Sequence, residues 1–217
     1  MDRCPRNNWC TRGSCFRLTS WRWRLLKADS LRYLFLAALV AGGLHYRSHG
    51  AKPLTDKDTV VLADFANSTG DPVFDDTLRQ GLAVQLAQSP FLNILSDQKV
   101  GNTLKLMGLS PSDRLTPDVA REVCERVGSK AYLSGSIATL GRQYVVGLKA
   151  INCQTGDSLA QEQATANDKE YVLKALDDAA TKLREKVGES LVSIRKFDKP
   201  LEEATTSSLE ALQAYTT

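Results

Sequence analysis

Hydrophobic and polar positions alternate most regularly between Gly128 and Leu159, in two runs, Ala131-Leu133-Gly135-Ile137 and Tyr144-Val146-Leu148-Ala150. A period of two marks strands with one buried face. Gly141-Arg142 separates the runs, and a turn at Gln154-Thr155-Gly156-Asp157 predicts a third strand from Ser158 to about Ala166. The three form an antiparallel meander. Upstream, TVVLADF (59–65) and FLNIL (91–95) are short apolar runs that predict two more strands.

Helical periods fill the spaces between these runs. Asp71-Pro72 predicts a helix start, with Asp as N-cap and Pro first, and Phe74, Leu78, Leu82 and Leu86 then recur every four residues to about Gln88. Ser96-Asp97 opens a second helix through about Met107. Thr116-Pro117-Asp118 opens a third that carries Val119, Val123 and Cys124 to Val127 and stops at Gly128. After the meander, Asp168 is the predicted cap of one long helix, with Val172, Leu176, Ala179, Leu183, Val187, Leu191 and Ile194 on its apolar side. Asp178, Lys182, Glu185 and Lys186 form its solvated side. Beyond Pro200 a polar linker leads to Leu209-Glu210-Ala211-Leu212, where Ser207 and Glu210 stand at capping-box spacing. The predicted fold class is α/β: a mixed sheet of about five strands with an antiparallel meander, helices packed on it, and one transmembrane helix before it.

That membrane helix is expected in Tyr33–Tyr46, fourteen residues without a formal charge and with aromatic residues at both ends. Fourteen helical residues rise about 21 Å against a hydrocarbon core of about 30 Å, so Arg32 and Arg47 would have to snorkel. A cleaved signal core also fits that length, with Ala41-Gly42-Gly43 as the cleavage region. The preceding basic stretch is far longer than an ordinary leader's charged region, which favours an uncleaved anchor.

Charge then supplies an orientation. Residues 1–50 carry 9 Lys/Arg against 2 Asp/Glu, a balance of +7, while residues 51–217 balance at −4. The excess of cations before the span places the N-terminus in the cytoplasm and everything after Arg47 outside. The sequence thus divides into a basic cytoplasmic tail (1–32), a transmembrane helix (33–47), a linker (48–57), an α/β domain (58–197), and a linker with a short helix (198–217). The folded part is mildly acidic and has no basic stripe with interleaved aromatics, so no nucleic-acid partner is expected.

Candidate chemistry is sparse. Both histidines, His45 and His49, precede the folded part, leaving it without an imidazole base. Cys4, Cys10 and Cys15 have spacings of six and five and no nearby His, unlike a zinc site. Asp64, Asp71, Asp75 and Asp76 lack the alternation and fixed Gly of a calcium loop, and helix capping accounts for the last three. No catalytic, cofactor-binding or metal residue is assigned, and no cofactor is expected. Cys124 and Cys153 are the only cysteines after the span. Export would place both in an oxidising compartment, which makes them a possible disulfide; each is otherwise a small buried hydrophobe.

Three stretches together resemble the TolB amino-terminal-like domain of bacterial envelope and signalling proteins: Val60-Val61-Leu62-Ala63-Asp64-Phe65 with Asn67-Ser68-Thr69-Gly70-Asp71-Pro72; Gly128 with Tyr132-Leu133-Ser134-Gly135-Ser136-Ile137; and Thr155-Gly156-Asp157-Ser158-Leu159. The resemblance covers residues 56–195. From Leu54 to Tyr215 it is closer to a subgroup in which this domain follows a membrane helix, often behind a serine/threonine kinase, and precedes tetratricopeptide repeats. It implies a bacterial inner-membrane protein whose main domain lies in the periplasm, with a protein or small-ligand partner and a non-enzymatic sensor or interaction role. No kinase motif stands in the chain, and Leu209–Tyr215 resembles only the start of a first repeat. The alternative expectations are a fragment of such a larger protein and, least favoured, an enzyme.

Overall fold

The computed structural model describes residues 54–216, apart from 57 and 207. The basic tail and the expected span at 33–47 lie outside the described residues; among those described, no helix is long and apolar enough to cross a membrane. The chain is α/β, with a mixed sheet of six strands and seven α-helices among the described residues.

β1 (Thr59–Leu62) lies parallel to β3 (Asn93–Ile94) on one side and to β4 (Ala131–Leu140) on the other. β4, β5 (Gln143–Asn152) and β6 (Ser158–Ala166) form the expected antiparallel meander, with Leu140 opposite Gln143 at the first turn. The sixth strand, β2 (Ala66–Asn67), escapes a periodicity argument because two residues have no period. It pairs parallel with β4 at Ser136 and Ile137. The order is β3-β1-β4-β5-β6.

Two predicted helices are each divided. Asp71 caps only a 3₁₀ turn over Pro72–Phe74, its carboxylate accepting from the Val73 N–H at 3.0 Å, and α1 begins at Thr77 and runs to Ala87. The Asn67 amide donates to the Asp71 carbonyl and the Asp75 carboxylate, which keeps this turn apart from the helix. The long helix expected from Asp168 to Ile194 is three pieces. Lys169–Tyr171 make a 3₁₀ turn whose Asp168 side chain caps nothing, α4 spans Val172–Val187, and α5 restarts at Leu191 and ends at Phe197. Gly188 at φ 120° ends α4, a backbone conformation open to glycine, and the Glu189 N–H returns to the Arg184 carbonyl at 3.0 Å.

α2 (Asp97–Leu106) and α3 (Pro117–Val127) fall where their caps predict, the Thr116 hydroxyl accepting from the Val119 N–H. A short α6 (Leu201–Ala204) precedes α7 (Leu209–Thr216). The Ser208 hydroxyl accepts from the first turn of α7, at the Ala211 N–H; the cap expected at Ser207 lies outside the described residues. Leu209 and Leu212 are buried, so this helix docks on the domain.

The sheet has two unequal faces. On one, Leu62, Leu133, Ile137, Val146 and Leu148 meet Leu78, Leu82 and Leu86 of α1 and Leu173, Leu176 and Leu183 of α4, all buried. On the other, Val61, Ala63 and Tyr132 meet Val100 and Leu104 of α2 and Ala120, Val123 and Cys124 of α3. Gly135 lets the Phe65 ring lie flat on β4, for a Cβ there would fall inside the ring's van der Waals contact. Apolar area removed from water stabilises each leucine by about 1.5–3 kcal/mol, so the first face carries most of the burial.

Candidate functional site

In α/β sheets, ligands gather beyond the carboxyl ends of parallel strands. Here that place is a cleft of about 410 Å³ past the end of β1, between α1, the start of α2 and the 111–115 loop. Three of the four acids weighed as a calcium group line it, Asp64, Asp75 and Asp76, together with Asp97 and Asp113. Asp64 is fixed by a two-way backbone exchange: its carboxylate accepts from the Leu115 N–H at 2.6 Å, and its own N–H donates to the Leu115 carbonyl at 2.9 Å. Arg79 of α1 stands between Asp64, at 3.1 Å, and Asp97, at 2.6 Å. The contact with Asp64 is one of charge, since the Arg79 Nε–H is not aligned for a hydrogen bond. Arg114 donates to the Phe65 carbonyl at 3.1 Å. Asp71 faces away from the cleft to Lys169, whose hydrogen bond at 2.8 Å, with that from the Val73 N–H, holds the Asp71 carboxyl below its ordinary range. Among the described residues no group of three or more His, Cys, Asp or Glu is placed to hold a metal ion.

A second polar group lies inside the fold, where periodicity predicted only a solvated helix side. Arg184 of α4 and Glu189 are both fully buried. The guanidinium donates to both Glu189 oxygens, at 2.9 and 3.1 Å, and also to Asp198. The Ser89 and Ser193 hydroxyls complete the Glu189 shell, and Gln85 and Thr181 complete that of Asp198. Burial pushes the Glu189 carboxyl up, and the donors from Arg184, Ser89 and Ser193 outweigh it, leaving the group below its ordinary range. This network ties α1, α4, α5 and the approach to α6 together. Only the bidentate geometry of an Arg makes such a centre tolerable in the core. As a charged residue among Lys182, Glu185 and Lys186, Arg184 reads as one more member of a solvated side. A polar residue at the helical phase of Ala180 and Val187 was the one available signal.

Cys124 of α3 and Cys153, just past β5, are both fully buried, with Cα atoms 6.1 Å apart and sulfurs at bonding distance. Beside them the Arg121 guanidinium donates to the Cys153 carbonyl at 3.0 Å and to Glu125 at 3.1 Å. α3 is thereby joined to the end of β5 through both side chain and backbone.

No protein-family model matches the chain, and no curated protein matches it in sequence. Among solved structures it is similar to the C-terminal domain of LpoB from Escherichia coli, at 19% identity over 57% of this chain and 93% of that one, with a TM-score of 0.49. It is also similar to a lipoprotein from Neisseria meningitidis, at 15% identity over 62% of this chain and 99% of that one, with a TM-score of 0.43. A third likeness is to TolB from Acinetobacter baumannii, at 13% identity over 64% of this chain and 30% of that one, with a TM-score of 0.41. At these identities and scores the likeness bears on chain path alone.

Proposed function

We propose that the chain is a membrane-anchored, non-enzymatic interaction or sensor module of a bacterial envelope, held by a single span at 33–47 with its α/β domain in the periplasm. The observation that carries the non-enzymatic part is the state of the cleft beyond β1. Of the groups that line it, Asp64, Arg79 and Arg114 are committed to one another, to Asp97 and to backbone groups, and residues 54–217 contain no histidine to serve as a base. Groups locked in this way hold a surface in shape for a protein or small-ligand partner; they do not transfer protons.

The Cys124–Cys153 pair supports the outer-side location, because a buried cross-link at 6.1 Å Cα separation persists in an oxidising compartment. A reporter active only after export, fused behind Tyr215, is expected to be active, and both thiols are expected to resist labelling in the unfolded, unreduced protein. Cytoplasmic reporter activity in a membrane-bound fusion, or quantitative labelling of both thiols, overturns the location. The purified chain is expected to show no hydrolase, kinase or nucleotide-cyclase turnover. Turnover that survives purification and disappears on one point substitution overturns the passive role.

A further inference from the structure

α5 gathers three of the seven large apolar side chains that are exposed among the described residues. Leu191 is 51% exposed, Val192 77% and Phe197 41%, a run of large apolar side chains facing water on a helix of seven residues. Between them stand Arg195 and Lys196, exposed and without an ion-pair partner among the described residues; the Lys196 ammonium lies 5.2 Å from the centre of the Phe197 ring. The acids of the same segment face the other way. Glu189 is buried on Arg184, and Asp198 accepts from Arg184, Thr181 and Gln85. The outward charge of this stretch is therefore positive, and it is interleaved with apolar side chains.

We propose that α5 rests on the surface of an anionic bilayer, with Leu191, Val192 and Phe197 at the level of the acyl boundary and Arg195 and Lys196 on lipid phosphates. Interfacial helices combine these two kinds of residue for this reason: apolar area supplies the insertion, and cations select the charged surface. The helix is also preformed. Ser190 caps it at the Ser193 N–H, Ile194 anchors it in the fold, and the Arg184 network clamps both of its ends, so docking orders little that is not already ordered.

A bilayer is favoured over a second protein by where the chain enters the domain. The Leu54 N–H donates to the Val187 carbonyl at 2.9 Å, so the first described residue sits at the end of α4, immediately before α5. The inference rests on the anchor proposed above. With the span ending at residue 47, the six intervening residues, fully extended, hold Leu54 within about 25 Å of the bilayer. α5 is the apolar, cationic element next to that tether.

The test uses the whole chain with vesicles of zwitterionic lipid alone and of the same lipid with about 30% anionic lipid, reading flotation and amide exchange of 191–197. The chain is expected to float with both, and the α5 amides to exchange at least tenfold more slowly on the anionic vesicles. L191S/V192S and R195E/K196E should each abolish that difference while leaving exchange of α2 and flotation unchanged. If the chain floats with both vesicles and α5 exchanges alike on each, the inference falls and the anchor stands. Flotation with anionic vesicles alone, with α5 protected, removes the anchor and keeps the lipid surface. Failure to float with either removes both. Slowing that is equal on both lipids and rises with protein density overturns the proposal in favour of a second copy covering α5.

Discussion

The two faces of the sheet are held by different means. Under α1 and α4 the contacts are long aliphatic rows, Leu78-Leu82-Leu86 against Leu173-Leu176-Leu183, with the Arg184–Glu189–Asp198 centre closing the far side. Under α2 and α3 the buried residues are fewer and smaller, and the sheet beyond them is open, with Ser136, Ala138, Lys149 and Thr165 exposed. Here the Cys124–Cys153 pair and the hydrogen bond from Arg121 to Cys153 do the holding. A face too small to be secured by burial is secured by constraint on the unfolded chain and by backbone ties, as in small domains generally.

The sharpest way to break the first face is Arg184→Ala. It leaves the Glu189 carboxylate buried without its partner and costs about 3–5 kcal/mol. The expected result is loss of cooperative thermal unfolding, or a large fall in its midpoint, read by circular dichroism. A change below about 1 kcal/mol would mean that the network can repack or admit water, and that α1, α4 and α5 are not held through it. Leu82→Ala comes next, at about 3 kcal/mol, because Leu82 is fully buried between elements that have little room to collapse. Both substitutions are expected to lower protection from amide exchange over the whole domain.

Removing the cross-link tests the other face. Cys124→Ala with Cys153→Ala opens a loop with a sequence separation of 29, a loss of about 3–4 kcal/mol on the chain-entropy account, less any strain. The expected effect is also local: α2 and α3 should exchange faster while α1 and α4 keep their protection. Uniform loss across both faces would show the sheet to be a single cooperative unit, and the contrast between faces would fall.

How much of this was legible in the sequence follows from how local each signal is. The meander could be read because alternation from Ala131 to Ala150 needs only the chain's own period, and α3 because Thr116, Pro117 and Gly128 are local start and stop signals. The break at Gly188 was hidden because Val187, Leu191 and Ile194 continue the helical phase of α4 across it. Gly188 stops the helix, and the return of Glu189 onto Arg184 that holds this end is invisible until both are placed. The cleft beyond β1 was legible in part: Asp64, Asp75 and Asp76 stood out as acids, whereas the pairing of Asp64 with Arg79 and the docking of the 111–115 loop depend on the fold. Of the exposed residues of α5, Leu191 was expected in the core, since it continues the aliphatic series of α4.

The smallest effect concerns Asp177, on the first face beside the buried network. Its carboxyl is pushed up to about 6, first by burial and then by the charges of Asp198 and Asp178, against the pull of the Leu201 N–H and Arg184. One of its oxygens is buried without a hydrogen-bond partner. A carboxyl raised in the folded state favours folding when protonated. Its contribution is therefore fully present below about pH 4 and is lost as the pH rises through about 6. Asp177→Asn keeps an oxygen for the Leu201 N–H and removes the ionisation. It is expected to stabilise the domain by about 1 kcal/mol at pH 8, after allowance for solvent screening, and to have almost no effect at pH 4. The comparison is made by denaturant unfolding of both proteins at the two pH values. A gain equal at both would assign the effect to packing, and a loss at pH 8 would mean that the ionised carboxylate is a working part of the clamp on α6. The same measurement on the Cys124→Ala/Cys153→Ala background sharpens the contrast between the faces. If the two sides of the sheet are held independently, the gain from Asp177→Asn should be unchanged there to within about 0.5 kcal/mol.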